Sequence, residues 1–391
     1  MKINKSIDEC CGCTACESIC PHSAIMMTPD KLGFLHPQVD TDKCVDCGLC
    51  VKVCNFKSDY SRGDGIGYFD VPKILGGRLK DTEQLARSQS GGAAFAFADY
   101  IIGNHGVVYG AVFTEDFLVI HNRCTDMSEI LKLRGSKYIQ SDIRTIFPQI
   151  KKDLIDGVTV LFIGTPCQVA GLKSYIDKKY YQNLYLIDLV CHGVPSPSIW
   201  KDYIKYVEHK CHDKVIGCVF RDKSFGWKSH IESFYFMHKK PYSNHIFRDL
   251  FYEHYILRDS CHSCPFTNYN RVSDVTIGDF WGTPERDGRE FDDNKGISLF
   301  LTNTDKGEFL FNQIKPLIYF FDSNIKACEQ EQLYHPAISN PKREFFLSDY
   351  IEKGFNYVIH KYAITGYKYR LKVGKIFFRT IVEKIKWHLY H

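Results

Sequence analysis

From about residue 72 onward, short apolar runs alternate with amphipathic stretches, the pattern of strands and helices laid down in turn. Val107–Phe113 and Phe117–His121 read as strands. Ile143–Ile155 reads as a helix, with Ser141 or Asp142 as its cap. Val158–Ile163 is a short β-rich run that enters Gly164-Thr165-Pro166 and then an amphipathic stretch from Cys167 to Ile176. Proline suits the first helical position, so this segment predicts strand, turn and helix. Leu184–Val190 is a second buried strand, followed by Cys191-His192-Gly193 and a helix from about Ser198. Asp274–Asp279 and Ile297–Thr302 read as further strands. The class is α/β with a mixed sheet whose strand order the sequence leaves open.

The segment before residue 72 has a different character. Residues 1–57 carry two cysteine runs, and 58–71 is polar and Gly-rich (Ser61-Arg62-Gly63-Asp64-Gly65-Ile66-Gly67), the composition of a linker. With 391 residues, more than one core is expected. The boundaries this suggests are a cluster domain to 57, a domain in two parts (72–150 and 151–320), and a helical basic tail over 321–391.

The runs are Cys10-x2-Cys13-x2-Cys16-x3-Cys20-Pro21 and Cys44-x2-Cys47-x2-Cys50-x3-Cys54. The first matches the bacterial iron–sulfur signature, in which the fourth cysteine ligates the other cluster. The expected sets are therefore Cys10, Cys13, Cys16 and Cys54 for one [4Fe–4S] cluster, and Cys44, Cys47, Cys50 and Cys20 for the other. Zinc knuckles favour two separated Cys-x2-Cys pairs over two four-cysteine runs. Asn55 stands where the second run would carry a proline, a position that shapes the chain without binding iron.

Seventeen cysteines in a small secreted chain would suggest disulfides. Here no signal peptide precedes the first motif and no stretch of 18 uncharged apolar residues occurs, so reduced thiols in a cytoplasmic metal protein are expected. The formal net charge of +4 excludes little, and its spread outside the tail disfavours nucleic-acid binding.

Three further constellations carry chemistry. Ser88-Gln89-Ser90-Gly91-Gly92 precedes a small apolar run, where backbone amides at a helix start suit a flavin or nucleotide phosphate, or form a capping turn that binds nothing. Cys167, Cys191, Cys261 and Cys264 fall at strand ends and in a Cys-x2-Cys-Pro half-site; they suit a third cluster, a zinc site or buried free thiols. Cys11, Cys124, Cys211, Cys218 and Cys328 lack partner spacing and read as structural. Arg221-Asp222-Lys223 with Trp227, and Asp279-Phe280-Trp281-Gly282, set cations beside aromatic rings, suiting an anionic planar ligand or ordinary turns and core. His192 is placed to donate a proton in the cleft or simply to be hydrogen-bonded.

The tail from Lys361 to His391 has eight Lys or Arg and one acid, Glu383. Lys372, Lys375, Arg379 and Lys386 fall on one helical face and Phe378, Ile381, Val382, Ile385 and Leu389 on the other. Such a helix lies on an anionic membrane, meets a partner or packs on its own domain.

Taken together, these residues carry a resemblance. Ser90-Gly91-Gly92, Arg134-Gly135-Ser136-Lys137-Tyr138, Gly164-Thr165-Pro166-Cys167-Gln168, Cys191-His192-Gly193-Val194-Pro195-Ser196, Phe220-Arg221-Asp222-Lys223, Cys261-x2-Cys264-Pro265 and Asp274-x4-Asp279-Phe280-Trp281-Gly282 are similar to the family of beta subunits of coenzyme F420 hydrogenase/dehydrogenase. The similar form is the bacterial one with a two-cluster ferredoxin domain in front. The resemblance implies an α/β FAD-binding domain and a third [4Fe–4S] cluster on Cys167, Cys191, Cys261 and Cys264. It also implies that Ser88, Ser90, Gly91, Gly92, Lys137, Tyr138, Thr165, Gln168, Arg221, Lys223 and Asp279 lie near flavin or substrate, with His192 and Lys137 as catalytic candidates. The implied activity is an FAD-dependent iron–sulfur oxidoreductase, working with ferredoxin or another redox protein on a small-molecule or glycan-related substrate. Similar bacterial chains are encoded among polysaccharide-synthesis enzymes, and the tail would hold such a protein at the inner membrane face. The alternatives are an electron-transfer subunit without a substrate of its own, and a coenzyme F420 oxidoreductase subunit.

Overall fold

The computed structural model describes residues 3–56, 68–282, 291 and 293–363. Near the N-terminus, β1 (Ile25–Pro29) and β2 (Leu35–Val39) form an antiparallel hairpin. Short helices, Ala15–Ile19 and Leu49–Val53, begin within the two cysteine runs and pack on each other.

The main sheet is built from β3 (Tyr68–Leu79), β4 (Val107–Phe113), β5 (Val119–Cys124), β6 (Val160–Gly164) and β7 (Leu184–Leu189). A separate antiparallel sheet follows: β8 (Val215–Val219), β9 (Glu232–Phe236) and β10 (Tyr242–Asn244). The chain then returns to the main sheet with β11 (Val275–Asp279), β12 (Ser298–Thr304) and β13 (Ile318–Asp322). The eight strands stand in the order β13-β3-β12-β11-β7-β6-β4-β5. The four central strands β11, β7, β6 and β4 are parallel, and the outer ones antiparallel. The mixed α/β sheet expected from the sequence is present. Its parallel strands end on one edge, where α/β proteins place their sites.

Several expected boundaries shift. The strand expected at 117–121 is β5, which begins at Val119, because Phe117 takes φ +60° in a turn closed by Thr114 and Leu118. The helix expected from Ile143 begins at Ile146, after Thr145 at φ +69°. Asp142 instead bridges to Ile120 and pairs with Arg144. Residues 68–71, assigned to the linker, open β3, while 57–67 lie outside the described residues. Residues 321 and 322 finish β13, so the sheet runs past 320. Helices Arg343–Lys353 and Phe355–Tyr362 then pack on the small sheet, where Phe346 and Phe355 join Trp200, Tyr203, Phe234 and Phe247 in an aromatic core. Most of the basic tail, 364–391, lies outside the described residues.

The cluster domain is not a separate body. Ile3, Ala15, Ile25, Met27, Val53 and Phe56 share one apolar core with Phe147, Phe162, Val169 and Leu172. On the other side, Leu32 and Phe34 enter the aromatic core around Trp200. No helix among the described residues is long and apolar enough to cross a membrane.

Candidate functional site

The structure gathers the cysteines into three groups. Cys10, Cys13 and Cys54 surround Cys16 closely enough to push its thiol up, after burial itself. Cys20, Cys44, Cys47 and Cys50 line a cavity of their own. Cys167, Cys191, Cys261 and Cys264 ring an enclosed cavity of about 30 Å³. Among the described residues, no three His, Cys, Asp or Glu side chains converge to hold a single metal ion; the cysteines face cavities instead.

The enclosed set follows from topology. Cys167 is the second residue of the helix after β6, and Cys191 lies two residues beyond β7. Cys261 and Cys264 come from the loop after Tyr252, fixed by Val194 and Leu257 against Gly193. The Val194 amide donates to Cys261 Sγ at 3.4 Å. The Gly12 and Ala24 amides point likewise at Cys10 and Cys20, at 3.4 and 3.3 Å. A thiol has little use for such donors, whereas a cluster-bound thiolate is stabilised by them. Burial pushes Cys261 up to about 12. Cys167 is pushed down to about 7, chiefly by its hydrogen bond with Cys11, with Thr165 and Arg258 contributing against burial.

Beside this set lies a larger cavity of about 670 Å³ at the carboxyl ends of the parallel strands. Cys191, His192, Gly193, Val194 and Gln332 line both cavities and form the wall between them. A volume of this size takes a cofactor-sized ligand. The Oγ of Ser88 and Nε2 of Gln89, both on its lining, are buried without a hydrogen-bond partner, which fits a polar group brought by a ligand.

The glycine loop differs from expectation. Ser90 (φ +50°) gives its hydroxyl to Ile297 O at 2.5 Å. The Gly91 amide donates to Ser298 Oγ at 2.9 Å, and Gly91 does not line the cavity. A Cβ at Gly91 would stand 2.3 Å from Gly77 O, so this glycine serves close packing on β3. Gly92 (φ +83°) caps the helix Ala93–Gly103, whose first turn, including Ala94 and Phe95, borders the cavity. That first turn is the part left for an anionic group.

Lys137 lines the cavity, but its ammonium turns to the carbonyls of Leu133, Arg134 and Gly135 at 3.1 to 3.2 Å. Those three bonds use all its donors, and burial pushes it down to about 8. Arg221 lies behind the cavity wall, paired with Asp279 at 2.5 Å, and its Nη1 donates to Tyr138 Oη at 3.4 Å. Trp227 Nε1 donates to the same Asp279 carboxylate at 2.7 Å, so Asp279 stays ionised against its burial. Lys223 does not line the cavity; it donates to Leu85 O and Ser90 O and ties the glycine loop down. Thr165 and Gln168 line the cavity floor, and Gln168 Nε2 donates to Ser141 Oγ at 2.9 Å.

His192 faces both cavities, and its Nε2 lies 2.7 Å from His254 Nε2. His254 Nδ1 lies 2.6 Å from Ile338 O, which can only accept. With both rings neutral, His254 carries its proton on Nδ1 and His192 donates from Nε2 to His254. Burial, and then His254, push His192 down to about 4. No local motif marks His254, which is 62 residues from its partner.

A polar seam fixes the cluster domain. Arg258, fully buried, donates to Cys10 O (2.6 Å), Leu35 O (2.9 Å) and Gln140 Oε1 (2.8 Å). Gln140 Nε2 donates to Cys11 O at 3.0 Å. Asn55 Nδ2 donates to Ala170 O at 3.1 Å, so the residue that departs from the motif reaches the helix Pro166–Tyr175. On that helix a Cβ at Gly171 would stand 2.8 Å from Cys13 Sγ.

Fold and site thus define an iron–sulfur protein in which a dicluster domain is docked on a mixed α/β module. Residues 157–321 match the family model described as the C terminus of the coenzyme F420 hydrogenase/dehydrogenase beta subunit, and residues 9–58 match the 4Fe-4S dicluster domain. The chain carries the C-terminal module of that family of beta subunits behind a dicluster domain. It is 22% identical over 193 residues to the F subunit of F(420)H(2) dehydrogenase from Methanosarcina mazei, covering 47% of this chain and 53% of that protein. It is 42% identical over 45 residues to the B subunit of the Na(+)-translocating ferredoxin:NAD(+) oxidoreductase complex of Acetobacterium woodii, 12% of either chain. The chain thus spans about half the length of the first relative and a small part of the second. A chain of the F420-reducing [NiFe] hydrogenase complex from Methanosarcina barkeri aligns with TM-score 0.47 and 16% identity, over 75% of this chain and 91% of that one.

Proposed function

We propose that this protein is an FAD-dependent iron–sulfur oxidoreductase that exchanges single electrons with a redox partner and reduces a small molecule in the large cavity. The observation that carries the reading is the shared wall: Cys191 to Val194 separate the enclosed four-cysteine cavity from the cofactor-sized one. FAD, when bound, supplies the exchange between hydride chemistry and one-electron chemistry. Cys10, Cys13, Cys16 and Cys54, and Cys20, Cys44, Cys47 and Cys50, would hold the two clusters of the dicluster domain. Cys167, Cys191, Cys261 and Cys264 would hold a third.

The chain's own groups supply the setting. The Val194 amide, donating to Cys261 Sγ, stabilises thiolate charge at the enclosed set. Ser88 and Gln89 offer free hydrogen-bonding groups to a ligand, and the first turn of Ala93–Gly103 favours a phosphate. His192 is held by His254 and orients the wall. The substrate belongs to the same proposal: a deazaflavin or a glycan-related small molecule.

Anaerobic purification with iron, sulfide, zinc and flavin quantified together tests the reading. About 12 irons and one FAD per chain is the expected result. About eight irons, or zinc in place of four of them, overturns the third cluster; absence of a flavin spectrum overturns the FAD assignment.

A second reading is that the chain is an electron-transfer subunit of a larger assembly. Both relatives are themselves subunits of larger redox enzymes by name, which supports this reading. It expects stable co-purification with a catalytic partner and no turnover by the isolated chain.

A further inference from the structure

Four arginines are buried among the described residues, and three of them face a carboxylate. Arg221 pairs with Asp279 at 2.5 Å, Arg271 with Asp188 at 3.1 Å and Arg343 with Asp259 at 2.6 Å. Arg258 is the exception. Its Nε donates to Cys10 O at 2.6 Å, Nη1 to Gln140 Oε1 at 2.8 Å and Nη2 to Leu35 O at 2.9 Å, all uncharged acceptors. Nη2 also lies 3.2 Å from His36 Nδ1, and a carboxylate enters this network only beyond that ring, at Asp30. Carbonyl acceptors call for donors and not for a charge. A guanidinium cannot shed its proton, and a buried cation without a counter-charge is costly. The same side chain lines the enclosed cavity with Cys167, Cys191, Cys261 and Cys264.

We propose that Arg258 is the built-in counter-cation of the enclosed cluster and, through its bond to the Cys10 carbonyl, is shared with the first ligand set of the dicluster domain. The inference rests on the reading of the enclosed set as a cluster site. A [4Fe–4S] cluster on four thiolates is a dianion and gains a further negative charge on reduction. A fixed cation beside it offsets its own burial cost and favours the reduced form, so it raises the potential. Arg258 is then a positioning residue in two senses. Its hydrogen bonds seat the dicluster domain, and its charge sets how readily the enclosed cluster accepts an electron.

The test uses the full chain, purified anaerobically as wild type, Arg258→Lys, Arg258→Gln and Arg258→Met. Iron per chain is measured first, followed by a dithionite redox titration read by electron paramagnetic resonance. In Arg258→Gln and Arg258→Met the reduction equilibrium of the enclosed cluster is expected to fall by about tenfold, or about 59 mV for one electron. Arg258→Lys, which keeps the charge and loses the fork, is expected to recover most of that shift. Loss of about four irons in the two neutral variants with retention in Arg258→Lys supports the counter-cation equally. The same shift, or the same iron loss, in all three variants would show that only the hydrogen-bond seam matters and would overturn it. Unchanged potentials with full iron in the neutral variants would overturn it as well. A wild type with about eight irons fails the enclosed-cluster reading itself, which separates that failure from failure of the counter-cation.

Discussion

The two four-cysteine runs are near copies in sequence and opposites in setting. Both loops use left-handed residues at the same places, Gly12 and Thr14 in the first (φ +70° and +61°), Asp46 and Gly48 in the second (φ +52° and +77°). At the position after the first cysteine, one loop has Cys11, buried against the α/β module, and the other has Val45, 60% exposed. Among the second cysteines of the runs, Cys13 is half-buried and Cys47 exposed, while the third ones, Cys16 and Cys50, are both buried. One ligand geometry has thus been turned to two uses by what packs on it. The first loop is built into the module, and the second is more exposed. An open, partly apolar rim suits brief docking of a redox protein, in which little surface is buried.

The strongest way to break the contrast is to remove a ligand from each side. Cys16→Ala and Cys47→Ala are each expected to lose about four irons, read by iron and sulfide analysis. Only Cys16→Ala should also loosen the domain, since Cys16 belongs to the shared core; a lower unfolding midpoint than that of Cys47→Ala reads this. Next in size is Arg258→Met. It leaves Cys10 O, Leu35 O and Gln140 Oε1 without their donor and is expected to cost about 3 kcal/mol, seen as a lower unfolding midpoint. Asn55→Ala removes one interdomain hydrogen bond and should cost about 1 kcal/mol with no loss of iron. Asn55→Pro, the commoner motif residue, should cost as much. The smallest effect is expected at Val45→Ser: stability within about 0.5 kcal/mol of wild type. Its signature is a higher KM for a protein electron donor, measured by steady-state reduction, with iron and flavin unchanged.

The dicluster domain was legible because iron–sulfur ligation is written in local spacing. Cys167 and Cys191 were also within reach, because parallel strands deliver their ends to one edge. What sequence could not show were pairings across long separations. Ser298 takes up the Gly91 amide from 207 residues away. Thus a loop that reads as a phosphate cradle is instead largely committed to packing, with only the helix turn behind it facing the cavity. Lys137 reads as a free cation near a ligand, yet it bends back on the carbonyls of its own turn. The ends of the sheet were misjudged for a simpler reason. The edge strand β13 and its neighbour β3 pair antiparallel, joined by hydrogen bonds from opposite ends of the α/β module.

Gly171 shows how finely the two domains are matched. Glycine inside a helix costs about 1 kcal/mol relative to alanine, and here a single methyl group would intrude on Cys13 Sγ. The bare position works as a gauge that sets how near the first cluster's ligand shell comes to the helix bearing Cys167. Any transplant of a foreign dicluster domain onto this module would have to respect that gauge. A methyl at 171 would act as a shim, pushing the Cys13 loop away from the helix while leaving each half chemically intact.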